Sequence, residues 1–501
     1  MSTIRRQSII SSAVVYFGFI LGIFNTYLFT REGGLTKEQF GVTGLFIAFA
    51  NIMFSVASLG MPAYIHKFFP YYKSHLNEKK NDQLAWALLI PTAGFLVVLL
   101  LGLLLKNIVI DNIFNNSPEL LRYYYWTFPF GYGYTIFMVL EAYSWQQGKA
   151  VMSNILKEVA FRAFVTVLIV LLTIYFIPDF DSFVYIYSFG FILLSLSLAL
   201  YLKRKGQLHL NFSISRVTEK FKKKILTMVS FVWGGSMIYN IAAVFDSIII
   251  AAVLPNGMAA LGIFTVAQNI SSLMQAPQRA VVSAAIGPLS QGWKDKDMKK
   301  INRIYHSSSI NQLLFASMIF CLIWLNFDDG IATFRIQSDF GAAKWVFFWI
   351  GMNRIIDMGS GLNSQIIGTS TYWRFEFITG LILLALALPL NWQLTRHMGI
   401  IGPAIANLIA YTVYNFIRYM FLWNRFRMQP FKWTTLYAIL LALTTYYLCY
   451  TLFDAYRGIQ WMIVRSVVFL TLFLSGMYFM KLSPDAQPVL DTLRKKLRFG
   501  R

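Results

Sequence analysis

The sequence predicts an all-α polytopic membrane protein of about fourteen transmembrane helices, and three observations carry that reading. Of the 501 residues, 57% are hydrophobic and only 13% charged, against roughly 25% charged in an average soluble domain, and the mean hydropathy is +0.56. Apolar runs of about 18 residues or more recur along the whole chain, the mark of membrane-spanning helices. The basic residues, finally, sort by side of the membrane. Lys and Arg number 44 against 22 Asp and Glu, a net charge of +22 that in a soluble chain would suggest nucleic acid. A chain this apolar excludes that class.

An α-helix rises 1.5 Å per residue, so about 20 residues cross a hydrocarbon core of roughly 30 Å. On that measure the first six spans run over 8–30, 40–63, 84–105, 123–144, 151–177 and 182–202. A basic stretch over 203–224 follows, and then spans over 225–253, 259–289, 307–325, 342–367, 375–394, 399–421, 433–453 and 461–480. The first follows the basic pair Arg5 and Arg6 and has no small-residue cleavage site, so it reads as a retained helix. The fourth begins under Tyr123, Tyr124, Tyr125 and Trp126, residue types that favour the membrane interface. Cys321 and Cys449 both lie inside apolar runs, which leaves neither a disulfide framework nor a metal-binding pair.

Translocating a basic loop is disfavoured, so short basic loops mark the cytoplasmic side. With both termini cytoplasmic, 30 basic residues fall inside and only seven outside, the latter being Arg31, Lys37, Lys106, Arg122, Arg335, Arg396 and Arg457. The remaining seven lie within spans. Adding or removing one helix would scramble this split. No loop has room for a soluble domain, so the protein's work is expected inside the bilayer. The division that follows is 1–202 for a first lobe, 203–224 for a basic cytoplasmic linker, 225–421 for a second lobe, 422–480 for two further helices and 481–501 for a basic tail. That tail, amphipathic over 490–501, is expected to lie against anionic lipid.

The two lobes carry a trace of repetition. Phe40-Gly41-Val42 opens the second span and Leu261-Gly262-Ile263 opens the eighth, each after a short outer loop. Both spans then carry a polar stripe at helical spacing: Asn51, Ser55 and Ser58 in one, Gln268, Ser272, Gln275, Arg279 and Ser283 in the other. Two six-helix halves plus two extra helices is the economical reading, since internal repeats are common in transporters.

Several stretches resemble a known group: residues 34–41 (GLTKEQFG), 245–250 (FDSIII), 261–267 (LGIFTVA) and 398–406 (MGIIGPAIA). Together they are similar to the bacterial polysaccharide flippases of the multidrug, oligosaccharidyl-lipid and polysaccharide exporter superfamily. The resemblance implies two six-helix lobes around a central cavity that opens alternately to each face, with two appended helices. It implies an undecaprenyl-pyrophosphate-linked oligosaccharide as cargo, a bacterial inner membrane location, polysaccharide assembly proteins as partners and no cofactor. The chain departs from the drug-exporting branch in having no Asp or Glu over 8–30, which counts against a cation-coupled multidrug exporter.

A charge at the bilayer centre costs about 2.5 to 3.5 kcal/mol on insertion scales, so each one needs a reason. Lys344, Arg418, Arg465, Glu141 and Glu376 lie near span ends and are expected to snorkel to the interface. Arg279 lies about ten residues, roughly 15 Å, from the inner end of its helix and has no acid three or four positions away. With Gln275 it is the leading candidate for binding the cargo's phosphates, because a guanidinium donates two parallel hydrogen bonds to such an anion; a carboxylate partner on another helix is the structural alternative. Pro277 beside it is positioned to kink the helix. In the fifth span Glu158 and Arg162 are spaced to pair, which would leave Lys157 as a surplus cation facing cargo.

In the tenth span Arg354 and Asp357 are likewise spaced to pair, and Asn353, Asp357, Ser360 and Ser364 share a face that suits either a cavity wall or helix packing. Substrate binding is therefore expected at Arg279, Gln275, Lys157, Arg162, Arg354 and Asn51, and coupling or gating at Asp246, Glu158 and Asp357. Asp246 has no local basic partner, with Asn240 upstream on the same helix; the resemblance favours a structural or gating role for it over ion coupling. Enzyme signals are poor. The five histidines lie in or beside loops, no HExxH or GxxxxGK[ST] occurs, and Asp179-Phe180-Asp181 and Asp295-Lys296-Asp297 are too short to mean more than solvated turns. The short outer loops also speak against a membrane glycan polymerase or glycosyltransferase, whose acid and base groups need a loop of some size.

Overall fold

The structure, a computed structural model, describes residues 3–484, with side chains from Val14 on apart from those of Tyr239, Ala276, Ala280, Ser283 and Trp373. The tail expected against anionic lipid and the Ser283 member of the polar stripe lie outside that description. The chain divides into two compact units, Met1–Thr265 and Val266–Arg501.

Unit 1 holds α1 (Thr3–Thr30), α2 (Lys37–Ala57), α3 (Met61–His75), α4 (Gln83–Leu104), α5 (Pro118–Tyr123), α6 (Thr127–Gln146), α7 (Ala150–Asn154), α8 (Phe161–Thr173), α9 (Phe180–Ser188), α10 (Gly190–Arg204), α11 (Arg216–Val253) and the first turns of α12 (Gly257–Lys294). Unit 2 continues α12 and adds α13 (Met298–Thr333), α14 (Ala343–Gly359), α15 (Asn363–Thr369), α16 (Trp373–Met398), α17 (Gly402–Phe426), α18 (Trp433–Phe453) and α19 (Ile459–Phe479). Each expected span falls on one helix or on helices in series. Among the described residues nine segments are by themselves long and apolar enough to cross a membrane, with Val14–Thr30 a shorter apolar helix.

Local chemistry sets where these helices start. Thr36 and Gln39 form a reciprocal capping box at α2: the Thr36 N–H donates to Gln39 Oε1 at 3.0 Å and the Gln39 N–H to Thr36 Oγ1 at 3.3 Å. Both short acidic motifs turn out to be caps. Asp179 accepts from the Ser182 N–H at 2.8 Å to start α9, and Asp297 from the Lys300 N–H at 2.9 Å to start α13. Ser215 caps α11 at Arg216, so the second half of the basic stretch 203–224 is the opening of a 38-residue helix.

Four expected spans are interrupted. The second ends at Ala57, because Leu59 and Gly60 take left-handed φ values of 44° and 72° and Pro62 then starts α3; Ser58 is thus the cap of α2 rather than part of its stripe. Gly361, at φ 68°, separates α14 from α15 in the tenth. The sixth breaks between α9 and α10, and the fifth passes through a π-helical turn at Ile155–Ala160.

Aromatic residues fill unit 1 rather than lining lipid alone. Phe46, Phe130, Phe137 and Phe183 are fully buried, Phe130 stacks on Tyr187 with centroids 5.0 Å apart, and Phe161 meets Phe191 at 4.4 Å. Tyr123 and Tyr124, expected at the interface, are buried too, donating to Asp181 Oδ1 at 2.5 Å and to the Gly102 carbonyl at 2.7 Å.

The start of α11 is tied to the α3–α4 hairpin by a fully buried carboxylate. Asp82 Oδ2 accepts the Ser215 N–H at 2.9 Å and Thr218 Oγ1–H at 2.7 Å, Thr218 meets the Tyr72 hydroxyl at 2.6 Å, and Tyr64 donates to Tyr72 at 2.7 Å. Asp82→Ala removes the buried acceptor from two half-buried donors, each bond worth about 1 kcal/mol. The expected result is a lower melting temperature in detergent, with Asp82→Asn, which keeps an acceptor oxygen, closer to the parent; equal melting of Asp82→Ala and parent would refute the tie.

In unit 2, Leu289, Ile301, Tyr305, Leu362, Ile366 and Leu422 form a buried cluster where the end of α12 and the start of α13 meet α15 and α17. Both last helices pack against α13, and α19 is also held to it by polar contacts. Asn326 donates to Ser466 Oγ at 3.1 Å, and Arg465 pairs with Asp329 and donates to the Leu325 carbonyl at 2.8 Å.

Candidate functional site

Of the five charges expected to snorkel, Arg418, Glu376, Arg465 and Glu141 are instead paired inside the protein. Arg418 is buried, with its guanidinium 2.5 Å from Glu376 Oε1, donating to Thr379 Oγ1 at 3.1 Å and lying 3.7 Å over the Tyr414 ring. Ser364 also donates to Glu376 Oε1, at 2.5 Å. Arg465 and Asp329 are both buried, whereas Lys344 pairs with the exposed Asp328 at the surface. Burial explains the correction, since a charge that cannot reach water must find a counter-charge.

Glu141 is the fourth case and it changes the reading of unit 1. Lys157 Nζ donates to Glu141 Oε2 at 3.1 Å and contacts Met138 Sδ at 3.4 Å. Lys157 is therefore not a surplus charge. Its side chain is 28% exposed against 5% for Glu141, so the lysine is the open member of the pair. Both Lys157 and Glu158 sit on the π-helical turn, an irregularity that often marks functional positions because it re-aims side chains.

Glu158 and Arg162 form the expected pair at 2.9 Å. Arg162 is further fixed by α1: a Cβ on Gly18 would stand 2.7 Å from its NH1, and the Phe19 ring lies 5.5 Å from the guanidinium carbon. Asn25 donates to the Arg162 carbonyl at 2.8 Å. Gly18 and Gly22 thus make a groove that seats the arginine, the close approach that small residues allow between membrane helices. Asn51, on α2, joins the same region through Tyr134, whose hydroxyl donates to Asn51 Oδ1 at 3.1 Å and lies within the field of Lys157, Glu141 and Glu158.

In unit 2 the expected Arg354–Asp357 pair does not form. Asp357 accepts instead from Gln278 Nε2 and Asn415 Nδ2, each at 3.2 Å, and Asn415 in turn accepts from Asn363 Nδ2 at 2.8 Å. Among the described residues Arg354 has no ion-pair partner, and its Nε is buried without a hydrogen bond. Among the described residues Lys157 has a carboxylate partner and Arg354 has none.

The stripe on α12 keeps its face. Leu261, Phe264, Ala267, Ser271 and Met274 are buried along one side, whereas Gln268, Ser272, Gln275 and Arg279 lie on the open side, Arg279 being exposed. Asp246, on α11, is buried. Glu141, Tyr134, Gln278 and Asn415 are the members that sequence reasoning missed, and each is recruited from another helix. Among the described residues no three His, Cys, Asp or Glu side chains gather to hold a metal.

Comparison with known proteins adds the following. The family described as polysaccharide biosynthesis protein matches residues 4–293. No curated protein matches the chain in sequence. Among solved structures, the lipid II flippase MurJ in an inward closed conformation matches with a TM-score of 0.75 at 16% identity, covering 94% of this chain and 98% of that one. An inward-facing multidrug resistance MATE family transporter of the MOP superfamily matches with a TM-score of 0.62 at 16% identity, over 84% of this chain and 98% of that one. A MOP superfamily transporter from Pyrococcus furiosus, described as having a binding pocket of reverse polarity, matches with a TM-score of 0.53 at 16% identity, over 85% of this chain and 95% of that one. The fold is the one these transporters share.

Proposed function

We propose, on the premise that the chain belongs to the polysaccharide biosynthesis protein family, that it is a flippase carrying an undecaprenyl-pyrophosphate-linked oligosaccharide from the inner to the outer leaflet of a bacterial cytoplasmic membrane, with both termini cytoplasmic. The observation that carries this reading is the open face of α12, where Gln268, Ser272, Gln275 and Arg279 follow one another at helical spacing. A row of polar side chains with a guanidinium on the open side of a membrane helix suits the wall of a water-filled route and an anionic guest better than a lipid-facing surface. Arg354, with a buried Nε that has no acceptor, adds a second cation suited to phosphate. Moving the headgroup between leaflets needs no covalent bond to change, so the reading is of a transporter and not of an enzyme.

The in-span acids favour an anionic over a cationic cargo. Glu141, Glu158, Glu376 and Asp329 each face a basic partner, and Asp357 is taken up by two amides. Arg279→Ala, at normal abundance in the membrane, is expected to lower surface polysaccharide at least tenfold, with Arg279→Lys intermediate. Full polysaccharide from an abundant Arg279→Ala protein would sink the proposal. A deletion strain that gained drug susceptibility while keeping its polysaccharide would point to a multidrug exporter of the same fold.

A further inference from the structure

Between α10 and α11 the chain forms a strap pinned at both ends. The Gln207 carbonyl accepts from the Tyr143 hydroxyl of α6 at 3.0 Å, and the Ser215 N–H donates to the buried Asp82 at 2.9 Å. Between these pins the backbone makes no helical turn, and alternate residues Leu210, Phe212 and Ile214 are 50%, 56% and 64% exposed. Their polar neighbours are spent on each other: Asn211 Oδ1 accepts the Ser213 N–H at 3.1 Å and the Ser213 hydroxyl at 2.6 Å. The strap satisfies its own polar groups and presents three large apolar side chains.

Basic residues flank it on both sides. Over 203–224 eight Lys and Arg stand against one acid, Glu219, and all eight are exposed. The first turns of α11 are seated by Val217, which is buried, and by Phe221, whose ring lies 5.9 Å from Phe68 and 5.2 Å from Tyr71 on α3. With that face seated, the basic run over 222–224 is left outward.

We propose that the strap is a membrane-surface anchor: Leu210, Phe212 and Ile214 enter the boundary between headgroups and acyl chains, and the flanking basic runs hold anionic phospholipid headgroups. The strap joins the ends of the spans over 182–202 and 225–253, which places it at headgroup depth. Apolar side chains this exposed are unfavourable in water and favourable at that boundary. Charge selects the occupant, since each Lys or Arg near the surface adds attraction to anionic lipid. Through its two pins the anchor would fix the ends of α4 and α6 to the leaflet surface. The inference rests on the membrane fold and on the sidedness of the basic loops, and it is independent of the cargo.

The test places Leu210→Cys, Phe212→Cys and Ile214→Cys singly in a full-length chain whose buried Cys321 and Cys449 are replaced by Ala, with the exposed Lys79→Cys of the α3–α4 hairpin as reference. Each is spin-labelled in two bilayers, one of phosphatidylcholine alone and one with a third phosphatidylglycerol. With phosphatidylglycerol present, labels at 210, 212 and 214 are expected to meet a water-soluble nickel chelate at least threefold less often than the reference, and to meet oxygen, which concentrates among acyl chains, more often. In phosphatidylcholine alone the contrast should shrink at least twofold. Chelate contact equal to the reference overturns the anchor, and equal contrast in the two bilayers overturns the assignment to anionic lipid. Labels open in both bilayers but shielded in native membrane vesicles would show that a protein covers the strap, which also overturns it.

A variant combining Lys222→Gln, Lys223→Gln and Lys224→Gln supplies a second arm. These side chains are exposed, so its melting temperature in detergent should match the parent, while the phosphatidylglycerol-dependent part of the contrast at Phe212→Cys falls at least twofold. A contrast that keeps its full size would again overturn the proposal.

Discussion

Asp329→Ala is expected to cost unit 2 about 3–5 kcal/mol, the penalty for stripping a buried ion of its partner. Arg465 and Asp329 have side chains only 4% exposed, and Arg457 approaches the same carboxylate oxygen at 3.8 Å. Removing the carboxylate leaves the Arg465 guanidinium buried with only the Leu325 and Tyr456 carbonyls as acceptors, and α19 loses its ionic contact with α13. At two to four degrees per kcal/mol for a unit of this size, the melting temperature in detergent should fall by roughly 10 °C. Asp329→Leu combined with Arg465→Met should recover most of the loss, since apolar groups of similar volume replace a buried pair at little cost. A single variant that melts with the parent would show that water reaches this pair.

How far such pairs were legible in the sequence depends on where the partner lies. Glu158 and Arg162 are four residues apart on one helix and pair as spacing predicts. Arg354 and Asp357 satisfy the same arithmetic and do not pair, because Gln278 and Asn415 arrive from other helices and occupy the carboxylate. Lys157, Arg418 and Arg465 likewise take partners 16, 42 and 136 residues away, a choice that spacing on one helix does not encode. Hydropathy located the helices for a related reason: it senses length and apolarity, which the bilayer fixes.

Hydropathy is also blind to the break at Leu59-Gly60-Met61-Pro62, where backbone geometry overrides an apolar run. The paired glycines Gly41 and Gly262 were visible as a repeat, but their contact with one another required the fold.

Lys157→Met is expected to be nearly as damaging as Asp329→Ala, and for a reason that allows structure and transport to be separated. Glu141 is buried and Lys157 is its counter-ion at 3.1 Å, so the single substitution strands a carboxylate and should cut the folded protein in the membrane severalfold. Low polysaccharide from that variant would say nothing about cargo. Glu141→Leu together with Lys157→Met removes both charges and should restore abundance, because the pair is then replaced by packing. If Lys157, as the open member of the pair, exchanges Glu141 for a cargo phosphate during transport, the double variant accumulates normally and still makes at least tenfold less surface polysaccharide. If the pair only holds α6 against the π-helical turn, abundance and polysaccharide return together. A partner that is buried and a lysine that is not is the arrangement a counter-ion exchange requires: the carboxylate holds the cation ready without following it.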